Sequence, residues 1–251
     1  MSDYAYIFNT RGDSYNNACR VLPGARETER SLLIELLESS PSHVCCDVPA
    51  GGGYLAEGLE KIHGRHRGII CLEPAEKFLQ GIPPRFNRVL GSLMAMPLAS
   101  GGVERIGSLA GLHHIEHKRE VFHEAFRVLA PGGKMAVADV IEGTPVGWFL
   151  NEAVDRYSLT GHKGLFLRPQ ELTSLMAEAG FQEVSEQHEC FTWDFPDLPS
   201  LVWYCKHLFG MVKAELAQVE HELRARFAID CAGTVVRLPW SLVYAVGTKP
   251  S

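Results

Sequence analysis

The chain has 251 residues, 46% of them hydrophobic, 22% charged and 9% aromatic, with a formal net charge of −6. That balance belongs to a globular protein with one large core, and it excludes disordered, collagen-like and disulfide-dense chains. The acidic sign argues against a general nucleic-acid binder or a binder of anionic membranes, so no nucleic acid and no membrane are expected as partners.

The seven cysteines form no C-x-x-C pair, and their number is odd. Cys45, Cys46 and Cys71 lie in apolar runs, where cysteine behaves as a small hydrophobe. Reduced thiols and a cytoplasmic protein are expected. The first residues lack a basic segment followed by an apolar one, so no signal peptide is expected.

Strand and helix signals alternate. Ser42 to Val48 reads as a buried strand, Gly53 to Ile62 as a helix, and Gly68 to Leu72 as a second strand ending at Glu73-Pro74. A helix follows to Gln80, then short strands over Arg88 to Leu90 and Val103 to Leu109. His117 to Leu129 has a helical apolar rhythm and ends at Pro131-Gly132-Gly133. Lys134 to Val140 is a fifth strand. Pro169 to Ala179 is a helix closed by Gly180, and Val184 to Phe191 and Leu242 to Val246 are the last strands. This alternation predicts an α/β fold: a Rossmann-like open, parallel sheet of about seven strands flanked by helices. Ligands bind such sheets outside the carboxyl ends of the strands.

Three stretches fall outside that pattern. Residues 1–40 read as an N-terminal cap, and 141–168 and 197–230 as inserted helical lid or substrate segments of a single domain spanning 1–251. The bland reading of these inserts is ordinary peripheral packing.

The strongest local signal is Asp47-Val48-Pro49-Ala50-Gly51-Gly52-Gly53, between the first strand and the first helix. Glycines there let a ligand approach the backbone, and the helix start offers free N–H groups. Glu73, at the end of the second strand, has the carboxylate to accept both hydroxyls of a ribose.

Together these features resemble class I S-adenosylmethionine-dependent methyltransferases of the small-molecule type. Asp47, Gly51 and Gly53 match the family's acidic Gly-x-Gly-x-Gly loop, and Glu73 its ribose-binding acid. Gly91-Ser92-Leu93 matches the adenine segment, Leu109 to His114 the segment after the fourth strand, and Phe122 to Val140 the helix, turn and fifth strand. The resemblance covers roughly residues 42–192 and returns at the last strand. It implies S-adenosylmethionine as cofactor, contacted by Tyr15, Asp47, Pro49, Ala50, Gly51, Gly53, Glu73, Pro74, Ser92, Leu93, Leu109 and His114, with S-adenosylhomocysteine as product. Two departures stand out. Pro49 replaces a loop glycine and removes an N–H donor, and Ser92 stands where the family usually has Asp. A dinucleotide fingerprint fails, because the glycine spacing is wrong and Asp47 suits an ammonium better than a phosphate.

Tyr15 lies in Phe8 to Cys19, which resembles a short helix that such enzymes fold over the cofactor; core packing is the equal alternative. His113, His114 and His117, with Glu116, have metal-ligand composition, but a strand–helix break falls among them and no metal is expected. His113, His114 and Tyr157 are the candidate bases or acceptor contacts. His162, Trp193, Asp194 and Trp203 are further candidates to face the cleft from the inserts. Cys45 and Cys46 fall on alternate faces of a strand and read as sheet packing, not as arsenic-binding thiols. Arg237 and the basic run His63 to Arg67 read as solvated surface. The expected activity is in-line methyl transfer to an oxygen or nitrogen of a small-molecule or carrier-bound acceptor. The alternatives are cyclisation of S-adenosylmethionine to azetidine-2-carboxylate, releasing methylthioadenosine, or cofactor binding without turnover. The oligomeric state is left open.

Overall fold

The computed structural model describes residues 3–64 and 68–251. Part of the basic run, residues 65–67, therefore lies outside the described residues. Its first member, His63, meets the Ser39 hydroxyl at 2.8 Å. Among the described residues no helix is long and apolar enough to cross a membrane.

Among the described residues seven strands form one sheet: β1 (Cys45–Asp47), β2 (Ile69–Glu73), β3 (Asn87–Leu90), β4 (Val103–Leu109), β5 (Leu129–Asp139), β6 (Gln182–Phe195) and β7 (Val236–Thr248). Their order is β3-β2-β1-β4-β5-β7-β6. The pairs from β3 to β5 are parallel, whereas β7 runs antiparallel to both β5 and β6. The sheet is therefore mixed, a correction to the all-parallel expectation. Apolar periodicity reports which face a side chain takes but not the direction of its strand. Strands β6 and β7 form one long hairpin, in one register from Ser185↔Val246 to Phe195↔Val236 after a shift between Gln182 and Ser185. Residues 196–235 grow from its tip. Because β6 runs in the direction of β5, that tip projects from the carboxyl end of the sheet, where ligands bind.

Among the described residues ten α-helices surround the sheet: α1 (Asp3–Val21), α2 (Glu27–Leu37), α3 (Tyr54–His63), α4 (Glu76–Gly81), α5 (Lys118–Val128), α6 (Pro145–Trp148), α7 (Asp155–Tyr157), α8 (Glu171–Ala179), α9 (Leu198–Leu208) and α10 (Leu216–Arg226). Helix α1 is longer than the short helix expected from Phe8 to Cys19. A π-helical stretch, Phe149–Val154, joins α6 to α7. Gly180 closes α8 in the left-handed conformation, as its position after Ala179 predicted. The two faces of the sheet bury separate apolar clusters. Cys45 and Cys71 fall in one and Cys46 in the other, so the alternation of Cys45 and Cys46 holds. Pro131-Gly132-Gly133 does not precede β5 but lies within it, where β4 pairs with a shift of register between Val103 and Arg105. Arg237 is exposed and pairs with Asp230 at 3.5 Å.

Candidate active site

The strand order reverses at β1, whose neighbours are β2 and β4, and the crevice above that point is the natural ligand site. A narrow cavity lies there. Pro49, Ala50, Gly51 and Gly52 line it from the loop after β1, and Leu109, Ala110 and Gly111 from the loop after β4. Asp47 forms its floor, while Tyr4, Phe8 and Tyr15 of α1 cover it. Gly51 has φ +54°, a conformation that other residues adopt at a cost. Gly111 is required by close approach, since a Cβ there would stand 2.4 Å from the Pro49 ring. Asp47 is buried and accepts the Ala56 N–H at 3.1 Å. Burial pushes its carboxyl well above the ordinary carboxylate range.

Glu73 is fully buried at the end of β2. Its Oε2 accepts the Gly51 N–H at 2.8 Å and the Tyr4 hydroxyl at 3.0 Å, and its Oε1 accepts the Ala75 N–H at 2.8 Å. Burial pushes the carboxyl up to about 7, against the pull of these three donors. The phenol on Oε2 is a direct sign of fit to a ribose, because the carboxylate already accepts an O–H donor at that oxygen. Tyr4 also closes that end of the cavity.

A second narrow cavity adjoins the first and shares Phe8, Tyr15, Arg26 and Ala110 with it. Its polar side carries Arg11, His113, His114 and His162; its apolar side includes Trp193, Phe209 and Trp240. Trp193 stacks on Trp240 at 4.1 Å and on Phe209 at 6.2 Å between ring centroids. A buried network braces this wall. Glu29 pairs with Arg26 and accepts the Trp193 indole N–H at 2.8 Å, while Arg26 donates to the Tyr15 hydroxyl at 2.7 Å.

Asp139, at the end of β5, is fully buried. Its Oδ1 accepts His113 Nδ1–H at 2.6 Å and the Val140 N–H at 2.7 Å, and its Oδ2 accepts the Leu112 N–H at 2.7 Å. Burial pushes this carboxyl up, but attraction to His113 and these hydrogen bonds outweigh it and hold it below its ordinary value. With Nδ1 donating, the free lone pair of a neutral His113 sits on Nε2. His162 Nδ1 meets Asn151 Oδ1 at 2.9 Å, which likewise leaves Nε2 as the acceptor. Burial, then His113 and Arg11, lower the His162 imidazole well below its usual range. Burial followed by His113, His162 and Arg11 does the same to His114, so both rings are neutral at pH 7.

His113, His114 and His162 each bring one ring nitrogen within 4.8 Å of the others, a spacing that could hold a metal ion. Arg11 Nη2 lies 3.5 Å from His114 Nε2 and sets a positive charge against that nitrogen, which opposes a second cation.

The structure thus brings Tyr15, Asp47, Pro49, Ala50, Gly51 and Leu109 to the first cavity and His113, His114, His162 and Trp193 to the second. Glu73 sits below Gly51, and Gly53 caps α3. Pro74, Ser92 and Leu93 line neither cavity; Ser92 is exposed and its hydroxyl accepts the Met94 N–H at 3.2 Å. Tyr157, Asp194 and Trp203 also lie outside both. Tyr157 packs on the core with Arg156 over its ring, and Trp203 packs on His207. No cysteine lines either cavity among the described residues. Sequence reasoning missed Tyr4, Arg11 and Asp139. Asp139 carried the same signal as Asp47, an acid at the carboxyl end of a buried strand.

Residues 46–137 match the family model described as a methyltransferase domain. A methyltransferase of Streptomyces halstedii, GfsG, is 31% identical over 125 residues, 47% of this chain and 44% of that protein. An arsenite methyltransferase of Halobacterium salinarum is 32% identical over 96 residues, 38% of this chain and 24% of that protein. The chain therefore spans less than half the length of these two relatives. A ubiquinone/menaquinone biosynthesis C-methyltransferase, UbiE, of Pseudomonas putida is 22% identical over 72% of this chain and 82% of its own. Among solved structures, a SAM-dependent methyltransferase of Thermotoga maritima, a possible histamine N-methyltransferase, superposes with a TM-score of 0.66 over 98% of this chain and 99% of that one, at 19% identity. A phosphoethanolamine N-methyltransferase of Haemonchus contortus in complex with S-adenosyl-L-methionine gives 0.67 over 100% of this chain and 60% of that one, at 12% identity. The domain match, the strand order and the acid-and-glycine cavity at the switch point together identify residues 46–137 as a methyltransferase domain, in a chain with the fold of S-adenosylmethionine-dependent methyltransferases.

Proposed function

We propose that this protein transfers a methyl group from S-adenosylmethionine to an oxygen or nitrogen of a small molecule seated in the second cavity. One observation carries the reading: the glycine-loop cavity and the histidine-lined cavity adjoin, with Phe8, Tyr15, Arg26 and Ala110 lining both. When bound, the cofactor supplies a methyl group on a sulfonium, already activated for displacement. Asp47 and the close-approaching backbone of the Gly51 loop border its amino-acid part, and Glu73 takes the ribose hydroxyls once Tyr4 leaves Oε2. Phe8 and Tyr15 present aromatic faces at the junction, where a cation is attracted.

The remaining work is alignment, water exclusion and removal of one proton. His113 Nε2 accepts the proton of the acceptor, and Asp139 holds the ring by Nδ1–H and stabilises the imidazolium that forms. His114 offers hydrogen bonds to the acceptor and not a charge. Residues 141–168 and 197–230 act as lids, contributing Leu150 and His162 from one and Leu208 and Phe209 from the other.

Mass spectrometry after incubation with S-adenosylmethionine, alone and with panels of phenols, carboxylic acids and amines, tests this. S-adenosylhomocysteine that forms only with an acceptor, alongside a product heavier by one methylene, is expected. Methylthioadenosine released without any acceptor would overturn the reading.

A further inference from the structure

Arg11 is a cation without a counter-charge. Its Nη1 donates to the Phe209 carbonyl at 3.2 Å, and its Nη2 has one long contact, 3.5 Å to His114 Nε2. Its Nε is buried and has no hydrogen-bond partner. Arg11 makes no ion pair among the described residues. Glu29, which lines the same cavity, is spent on Arg26 and the Trp193 indole, and Asp139 is spent on His113 and backbone amides. Burial lowers the guanidinium only to about 10, so it is charged at pH 7. A buried charge left unpaired is costly, and an orphaned buried N–H adds to that cost.

Adjacent Nε–H and Nη2–H groups form the edge that a carboxylate grips with two parallel hydrogen bonds. Here that edge is all but unused, and Arg11 lines a cavity whose other wall is flat and aromatic. We infer that Arg11 binds the carboxylate of the methyl acceptor, and that the acceptor is a planar aromatic or conjugated carboxylic acid lying against Trp193, Phe209 and Trp240. This deepens the proposed methyl transfer and rests on the second cavity being the acceptor's. The carboxylate seats in the Arg11 fork beside His114 and His162, both neutral, so that Arg11 is the group that holds its charge. His113 Nε2 remains free for the proton that methylation releases.

Isothermal titration of the whole protein with 4-hydroxycinnamate and with its neutral amide tests this without requiring turnover. The wild type should bind the acid at least about tenfold more tightly than the amide, since a charge-assisted pair is at stake. Arg11→Met should erase that preference. Arg11→Lys, which keeps the charge but not the fork, should retain part of it and guards against a folding artefact. Equal binding of acid and amide by the wild type, no binding of either, or a preference that survives Arg11→Met would each overturn the inference. So would a loss of S-adenosylhomocysteine binding in Arg11→Met without any acid preference in the wild type, which would assign Arg11 to the cofactor's own carboxylate. If the acid preference holds but no methyl transfer occurs, the reaction assignment fails and the carboxylate site stands.

Discussion

Replacing Tyr4 by Phe should weaken the free protein and strengthen cofactor binding at once. The Tyr4 hydroxyl donates to Glu73 Oε2 at 3.0 Å in a fully buried setting. Burial, followed by the charge of Glu73, keeps the phenol protonated far above its ordinary range, so it is a donor at any working pH. A hydrogen bond to a charged group contributes about 1.5–3 kcal/mol, and Phe keeps the ring contact with Phe8 at 4.6 Å. At pH 8, where Glu73 is mostly ionised, the variant should therefore lose about 1.5–3 kcal/mol in chemical denaturation. Ribose hydroxyls need the oxygen that Tyr4 holds, so the wild type gives up this bond on binding and the variant does not. The same energy should reappear as a dissociation constant for S-adenosylhomocysteine about ten- to hundredfold lower by calorimetry, at about 1.4 kcal/mol per tenfold. Unchanged or weaker affinity in a variant that has lost stability would refute the reasoning, because Tyr4 would then not compete with the ligand for Glu73.

Glu73 also sets a pH dependence. Its folded value of about 7 lies above the ordinary 4.5, so its ionisation destabilises the free fold as pH rises from about 4.5 through 7. Ribose hydroxyls favour the carboxylate, so binding has the opposite sign, and S-adenosylhomocysteine affinity should fall about tenfold from pH 8 to pH 6 and lose that slope in Glu73→Gln. His113→Gln should lower kcat by about 10²–10⁴ with little change in KM, read as S-adenosylhomocysteine release with an acceptor that turns over. Asp139→Asn should cost about 3–5 kcal/mol in denaturant melts, because the amide NH₂ must face N–H donors that the carboxylate accepts on both oxygens. Gly111→Ala should destabilise by about 1–3 kcal/mol, since its Cβ would meet the rigid Pro49 ring at 2.4 Å; unchanged thermal midpoints would count against the packing described for these loops.

The cofactor side of the site was legible because its signals are local. An acid ends a strand, glycines open a helix, and both facts sit within a few residues of each other. The acceptor side was not, because it is assembled across the chain. His162 and Tyr157 both belong to the 141–168 insert. The π-helical stretch and the turn after α7 leave Tyr157 on the core and carry His162 to the cavity, where Asn151 fixes its ring. Apolar spacing holds no record of such a turn. Arg11 and Tyr4 went unread because they lie one to three turns from Tyr15 on α1, and their meaning depends on what that helix covers. The reversed direction of β7 was equally hidden, since a buried strand has the same pattern read either way.

The account turns on the first cavity being the cofactor's, with Glu73 as its ribose ligand. Calorimetric titration of wild type and Glu73→Ala with S-adenosylhomocysteine at pH 8 addresses that directly. One molecule bound per chain, with affinity reduced at least about tenfold in the variant, is the predicted result, in line with the loss of hydrogen bonds to a charged group. No binding by the wild type, or equal binding by both proteins, would contradict it.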